Sequence, residues 1–225
     1  ADIADAPRLT IDTPRLTGTV SLIGGRIDDL DLDGYQVSLE PDSPDVTLLS
    51  PVGGSNAYYA LYGWAPGASL QPGDVPGTDT EWRIEEGGDL SPGNPVTLRW
   101  DSPSGLIFRR TIAVDEDYLF DIRQSVTNPT DTTFRAAPYG IIARHGLPPD
   151  LANFFILHEG VVAMADGTLI EEGYGSLADM DVNAALGAPG EIREGVTSGW
   201  VGFTDKYWMT TLIPPVGQSF RMSML

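Results

Sequence analysis

The chain has no cysteine, a single lysine (Lys206), two histidines and no long apolar run. Without cysteine there is no disulfide, no thiolate metal site and no thiol nucleophile. That absence fits an oxidising compartment, although cytosolic chains lack cysteine too. Nowhere do about 18 apolar residues follow one another, so this stretch carries no transmembrane helix. Ala1 opens directly into polar sequence, so no signal peptide is visible; it is either removed or lies upstream. Positive charge is scarce. Thirteen basic residues against 32 acidic ones give −19, and the deficit is even: −10 over residues 1–110 and −9 over 111–225. Such a field repels phosphate backbones and anionic headgroups, and no basic patch offsets it, which excludes nucleic-acid binding.

What is present is glycine and proline in quantity: 26 and 18 in 225 residues. They cut the chain into short segments with period-two alternation. Val96, Leu98 and Trp100 share one face opposite Thr97, Arg99 and Asp101. Phe120, Ile122 and Val126 alternate with Asp121, Arg123 and Ser125. Phe108, Arg110, Ile112 and Val114 form a less regular stripe, and Asp115, Glu116 and Asp117 leave room only for a hairpin turn. The same pattern predicts strands over 16–22, 35–39, 46–49, 58–62, 80–84, 154–158, 199–204 and 208–213. Turns are predicted at Gly24-Gly25, Asp33-Gly34, Gly53-Gly54, Gly87-Gly88, Asn128-Pro129 and Asp166-Gly167. One helix is predicted over 176–186, with Ser176 as N-cap and Asp179 in the capping-box position. Residues 65–80 read as a long mobile loop. Many short strands without intervening helices exclude a doubly wound parallel sheet and predict an all-β, large antiparallel sandwich with at most one or two short helices.

Catalytic material is thin. The two histidines, His145 and His158, with Glu159 and Arg144, are the one set resembling an acid/base site, of the kind that opens an aldose ring. The simpler reading ends a buried strand at His158 and puts His145 beside a turn. His158 and Glu159 are also chain neighbours, which on a strand face opposite sides. Asp28, Asp29, Asp31 and Asp33 invite a calcium reading, but the spacing lacks the ligand ladder and terminal glutamate of a calcium loop. Neither metal nor cofactor is expected. Aromatics are the remaining lead: Tyr58, Tyr62 and Trp64 share a face of one strand, opposite Tyr59. Such stripes are more often core. On an open sandwich face they would serve an extended peptide, so Tyr58, Tyr62 and Trp64 are the candidate partner-binding residues.

The order of several short motifs then becomes informative. Thr13-Pro14-Arg15-Leu16-Thr17-Gly18-Thr19-Val20-Ser21-Leu22 is followed by Gly24-Gly25 and Tyr35. The hairpin comprises Thr111–Val114, Tyr118, Phe120, Ile122, Val126 and Asn128. After it come Leu147-Pro148-Pro149, Asn153-Phe154 and Leu157-His158-Glu159-Gly160, then Trp200-Val201, Tyr207 and Ile213-Pro214. Over nearly the whole chain this resembles the large periplasmic domain of the YidC membrane protein insertases of Gram-negative bacteria, which lies between their first and second transmembrane helices.

The resemblance implies a galactose-mutarotase-like β-supersandwich on the periplasmic side of the inner membrane, anchored through segments absent from this chain. It implies one domain over 1–225, lacking the family's last strands and the helix leading to the membrane. It further implies a non-enzymatic interaction or scaffolding module beside the accessory subunits of the Sec translocon and substrate membrane proteins, with extended segments as a possible cargo. The competing expectation is a mutarotase-type sugar-binding protein or aldose epimerase using His145, His158 and Glu159.

Overall fold

The computed structural model describes residues 6–54, 56–148, 151 and 158–225. Its contacts divide the chain into two compact units, 1–145 and 146–225. Every named strand pairing in both is antiparallel. The fold is all-β, as the alternation predicts.

The first unit holds β1 (Arg8–Asp12), β2 (Leu16–Ser21), β3 (Arg26–Gln36), β4 (Asp45–Leu49), β5 (Tyr58–Pro66), β6 (Arg83–Glu86), β7 (Val96–Asp101), β8 (Ile107–Val114), β9 (Phe120–Thr127) and β10 (Ala136–Arg144). One sheet runs β1-β2-β3-β5-β10 with β4 on the side of β3, and the other runs β6-β7-β8-β9. They face each other as a sandwich. Leu9, Ile11, Leu16, Val20, Leu30 and Leu61 of the first sheet and Val96, Leu98, Phe108 and Ile112 of the second are all buried. The β8–β9 hairpin keeps perfect register from Ile107↔Thr127 to Val114↔Phe120, so the alternating residues of both strands hold one face throughout.

In β3 the register slips between Thr19↔Asp29 and Val20↔Ile27, leaving Asp28 as an extra residue. This bulge shifts the phase so that Ile27, Leu30 and Leu32 are all buried, and it carries Asp28 inside with them. The strand also continues past Asp33-Gly34, where a turn is predicted, to end at Gln36, with Gly34 at φ 83° inside a second register break, between Leu32↔Val46 and Gln36↔Asp45. The predicted strand over 35–39 is therefore largely a bend, set by this bulged register rather than by local composition. Gly24 and Gly25 do form a turn, both at positive φ, 75° and 62°.

The stretch predicted as a mobile loop is tacked down. Leu70 and Val75 are buried, and a single 3-10 turn occupies Pro72–Asp74. Gly67 N–H donates to Arg135 O (2.8 Å), Trp64 N–H to Pro76 O (3.1 Å) and Ser102 Oγ to Asp74 O (2.8 Å). Two spaced apolar residues suffice to anchor a segment whose proline and glycine content reads as open loop.

The second unit holds β11 (Gly160–Ala165), β12 (Thr168–Gly173), α1 (Tyr174–Ala178), β13 (Val182–Asn183), β14 (Ala188–Pro189), β15 (Glu191–Val196), β16 (Gly199–Thr204), β17 (Met209–Leu212) and β18 (Phe220–Met224). Its main sheet is β12-β11-β16-β17, with β15-β18 and β13-β14 as separate pairs. Val161, Ala163, Ile170, Leu177, Val196, Met222 and Met224 form its core. The predicted helix over 176–186 is corrected here. It starts earlier, with Gly173 as N-cap, and stops at Ala178. Ser176 lies inside it, its Oγ donating to Gly173 O (2.9 Å) and Glu172 Oε2 (3.0 Å). Asp179, Asp181 and Asn183 compete with helix for the following backbone, and the chain turns into the β13–β14 ribbon instead. The predicted strand over 154–158 lies outside the described residues, apart from His158.

Candidate functional site

Each histidine is engaged within its own unit. His145 follows β10, where its backbone N–H donates to Ala57 O (2.8 Å). Its exposed ring stands edge-on to Tyr59, with centroids 5.7 Å apart and Nε2 3.4 Å from the phenol oxygen. His158 precedes β11 and sets Nε2 2.8 Å from Val161 O. Glu159 is buried next to it. A backbone carbonyl fixes the His158 ring as donor at Nε2, so that nitrogen is not free to take a proton from a substrate.

The aromatic strand β5 turns its residues to different neighbours. Tyr58 is buried under the Arg144 guanidinium, 4.6 Å from the ring centre. Tyr59 carries Arg26 over its ring at 5.9 Å. Tyr62 and Trp64, both half-buried, point across the sandwich to β8. Trp64 meets Phe108 edge-on, with centroids 5.6 Å apart, and burial pushes the Tyr62 phenol up to about 12.

At the centre of this contact lies a residue that the alternation alone did not single out. Arg110 is fully buried. Its Nη1 donates to Gly24 O (3.2 Å) and Gly25 O (2.9 Å) and its Nη2 to Tyr62 O. The guanidinium lies 4.6 Å from the Trp82 ring centre and 5.8 Å from that of Tyr62. Burial pulls it down to about 10, so it remains charged at neutral pH. Three carbonyls and two ring faces replace a counter-ion. A basic residue in a stripe of Phe108, Ile112 and Val114 is the one signal in the sequence that marks it.

Three of the four aspartates of β3 have side-chain partners on β1 and β2, and the buried Asp31 Oδ1 has none among the described residues. Asp28 meets Arg8, Asp29 Oδ2 accepts from Thr19 Oγ1 (2.6 Å) and Asp33 Oδ1 from Thr17 Oγ1 (2.9 Å). Among the described residues no group of three or more His, Asp or Glu is gathered for a metal. No helix among them is long and apolar enough to cross a membrane.

Comparison with known proteins adds what the geometry does not. Residues 8–224 match the family model of the YidC periplasmic domain. The chain is 59% identical over 216 residues to a protein of Dinoroseobacter shibae named membrane protein insertase YidC, covering 96% of this chain and 36% of that protein. Identically named proteins of Ruegeria pomeroyi (56% identical, 97% of this chain, 37% of that protein) and a Jannaschia species (56%, 97% and 35%) match in the same way. The chain thus spans a little over a third of the length of these relatives.

Proposed function

The chain belongs to the YidC periplasmic domain family, and we propose from that membership that it acts as a non-catalytic interaction or scaffolding module of a membrane protein insertase. The family places it on the periplasmic side of the inner membrane. The observation that carries the proposal is a single family match running from residue 8 to residue 224. That continuity also supports treating both compact units as one family domain. The mutarotase-type alternative on His145, His158 and Glu159 finds no support, since the relatives above carry the insertase name and His158 Nε2 is taken by a backbone carbonyl.

The accessory subunits of the Sec translocon and substrate membrane proteins are the proposed partners. The test is photo-crosslinking from positions across this domain within the full-length, membrane-embedded parent. Recovery of Sec subunits or of inserting chains is expected. Intact insertion with no crosslinked protein from any position would reduce the domain to a spacer. Of the aromatic candidates Tyr58, Tyr62 and Trp64, Tyr58 is buried and drops out; holding of extended segments at Tyr62 and Trp64 stays a narrower proposal, resting on their partial exposure. Unchanged crosslinking of inserting chains by Trp64→Ala would retire it.

A further inference from the structure

All 32 acidic residues lie at or before Asp205; from Lys206 to Leu225 the charged residues are Lys206 and Arg221 alone. This acid-free stretch also holds a concentration of exposed apolar side chains. Asp205 N–H donates to Trp208 O (2.8 Å), closing the hairpin between β16 and β17, while the Asp205 carboxylate accepts from Tyr174 Oη (2.7 Å). Lys206 and Tyr207 form the tip, with the ammonium 5.0 Å from the ring centre. Tyr207 and Met209 are exposed, and after β17 the run Ile213-Pro214-Pro215-Val216-Gly217 leaves Ile213 66% and Val216 99% exposed. Two consecutive prolines stiffen that run, and Gly217, at φ 85°, turns the chain toward β18.

Among the described residues, several other exposed apolar side chains adjoin carboxylates, while Val126 and Ile141 do not. Leu39 adjoins Glu40 and Asp42, Leu119 follows Asp115, Glu116 and Asp117, Leu169 precedes Glu171 and Glu172, and Val182 follows Asp181. Those hydrated charges oppose entry into a lipid headgroup layer. The stretch after Asp205 opposes it with nothing, and supplies the residue types that favour it: an aromatic with a polar tip, aliphatic side chains and a lysine for phosphate.

We propose that the hairpin tip and the loop after β17, through Tyr207, Met209, Ile213 and Val216, form a lipid-contact surface that enters the headgroup region of the adjacent bilayer. The inference rests on the periplasmic placement beside a membrane, and needs neither the Sec contact nor the substrate contact proposed above. Charge decides the occupant. From Tyr207 to Val216 the strip carries no charge of its own, with Lys206 beside it next to Asp205 and with Arg221 3.8 Å from Glu194. In a chain of −19 this near-neutral strip suits phospholipid headgroups, while the rest of the surface holds the domain off anionic lipid. The contact is small and therefore weak for the free chain; a membrane tether in the parent would raise its effective concentration.

The test is flotation of this chain with vesicles of phosphatidylcholine alone and mixed with phosphatidylglycerol. Ile213→Asp and Val216→Asp are each expected to weaken binding by about tenfold, Val216→Trp to strengthen it, and Leu39→Asp to leave it unchanged. Melting by circular dichroism verifies that each variant is folded. On the mixed vesicles, binding should increase with salt, because screening relieves the repulsion of the acidic body more than it weakens two cations. Failure of the native chain to float, or Val216 variants that bind like the native chain in both directions, would overturn the proposal. So would sedimentation equilibrium showing a self-associated species that Val216→Asp dissolves while vesicle binding is unaffected.

Discussion

Arg110 is a charged residue fully buried between the two sheets of the first unit. A guanidinium presents its donors in a fixed planar fork, and here that fork reaches three carbonyls from two separate segments while its face lies on Trp82. Lysine has the charge without the plane. Arg110→Lys is therefore expected to destabilise by about 2–4 kcal/mol, because a buried ammonium cannot serve all three carbonyls or stack. Arg110→Met removes the buried charge and keeps most of the volume, so it should cost less than Arg110→Ala, which leaves a cavity as well as the orphaned carbonyls. Urea unfolding of the three variants orders them; a lysine variant as stable as the native chain would show that charge alone matters. Asp28, buried in the β3 bulge, behaves differently. Burial raises its carboxyl above the ordinary range despite Arg8 and Arg26, whose attraction lowers it. A raised acid is easier to protonate in the folded state, so its stabilising contribution is present below the ordinary carboxylate value and lost as pH rises. The melting temperature of Asp28→Asn relative to the native chain should accordingly be most favourable near neutrality, lose that advantage as pH falls toward about 4, and level off below it, where the native carboxyl is protonated in both states.

At the scale of the element, the outward face of β6–β8 carries a connected set of charges. Glu85 on β6 accepts from Arg109 Nε (2.5 Å) and Nη2 (3.0 Å) on β8 and from Arg99 Nη1 (2.8 Å) on β7. Asp101 links Arg99 to Arg83. The bonds from Arg109, then those from Arg99, hold the Glu85 carboxyl down to about 2. A depressed acid stabilises above its ordinary value and loses that contribution as pH falls through its folded one. Glu85→Gln should thus lower the melting temperature at neutral pH, with the two curves converging between about pH 4.5 and 2; parallel curves would show that the arginines are satisfied by water. The strands bearing this network were legible because Thr97, Arg99 and Asp101 alternate strictly with Val96, Leu98 and Trp100. Legibility failed where tertiary packing overrode local pattern. Asp28 enters the core through a bulge that no alternation announces, β3 passes through a glycine that reads as a turn, and residues 176–186 lose their helix to backbone-competing polar residues. The candidate site followed the same division. Tyr62 and Trp64 could be assigned to one face of β5, but Arg110, which faces them from a strand far along the chain, needed the pairing of two sheets to be recognised.

For the whole molecule, the sum of charges sets a competition between local pairs and global repulsion. Arg83, Glu85, Arg99, Asp101 and Arg109 pair favourably, and salt weakens such partly exposed pairs. The body of the protein nevertheless carries 32 acidic against 13 basic residues, so most carboxylates have no cation to spare for them and repel one another over distances that about 0.1 M salt screens. Repulsion acts on the compact state more than on the expanded chain, where the same charges lie further apart. The global effect should win: the melting temperature at neutral pH is expected to rise from low to moderate salt. Glu85→Gln should rise more steeply than the native chain, because it has lost pairs that salt would weaken. A native melting temperature that is flat or falling over that range would show that the acidic residues are spaced too widely to interact. The increase of vesicle binding with salt should persist even then, because it depends on the net charge of −19 facing an anionic membrane rather than on the spacing of the carboxylates.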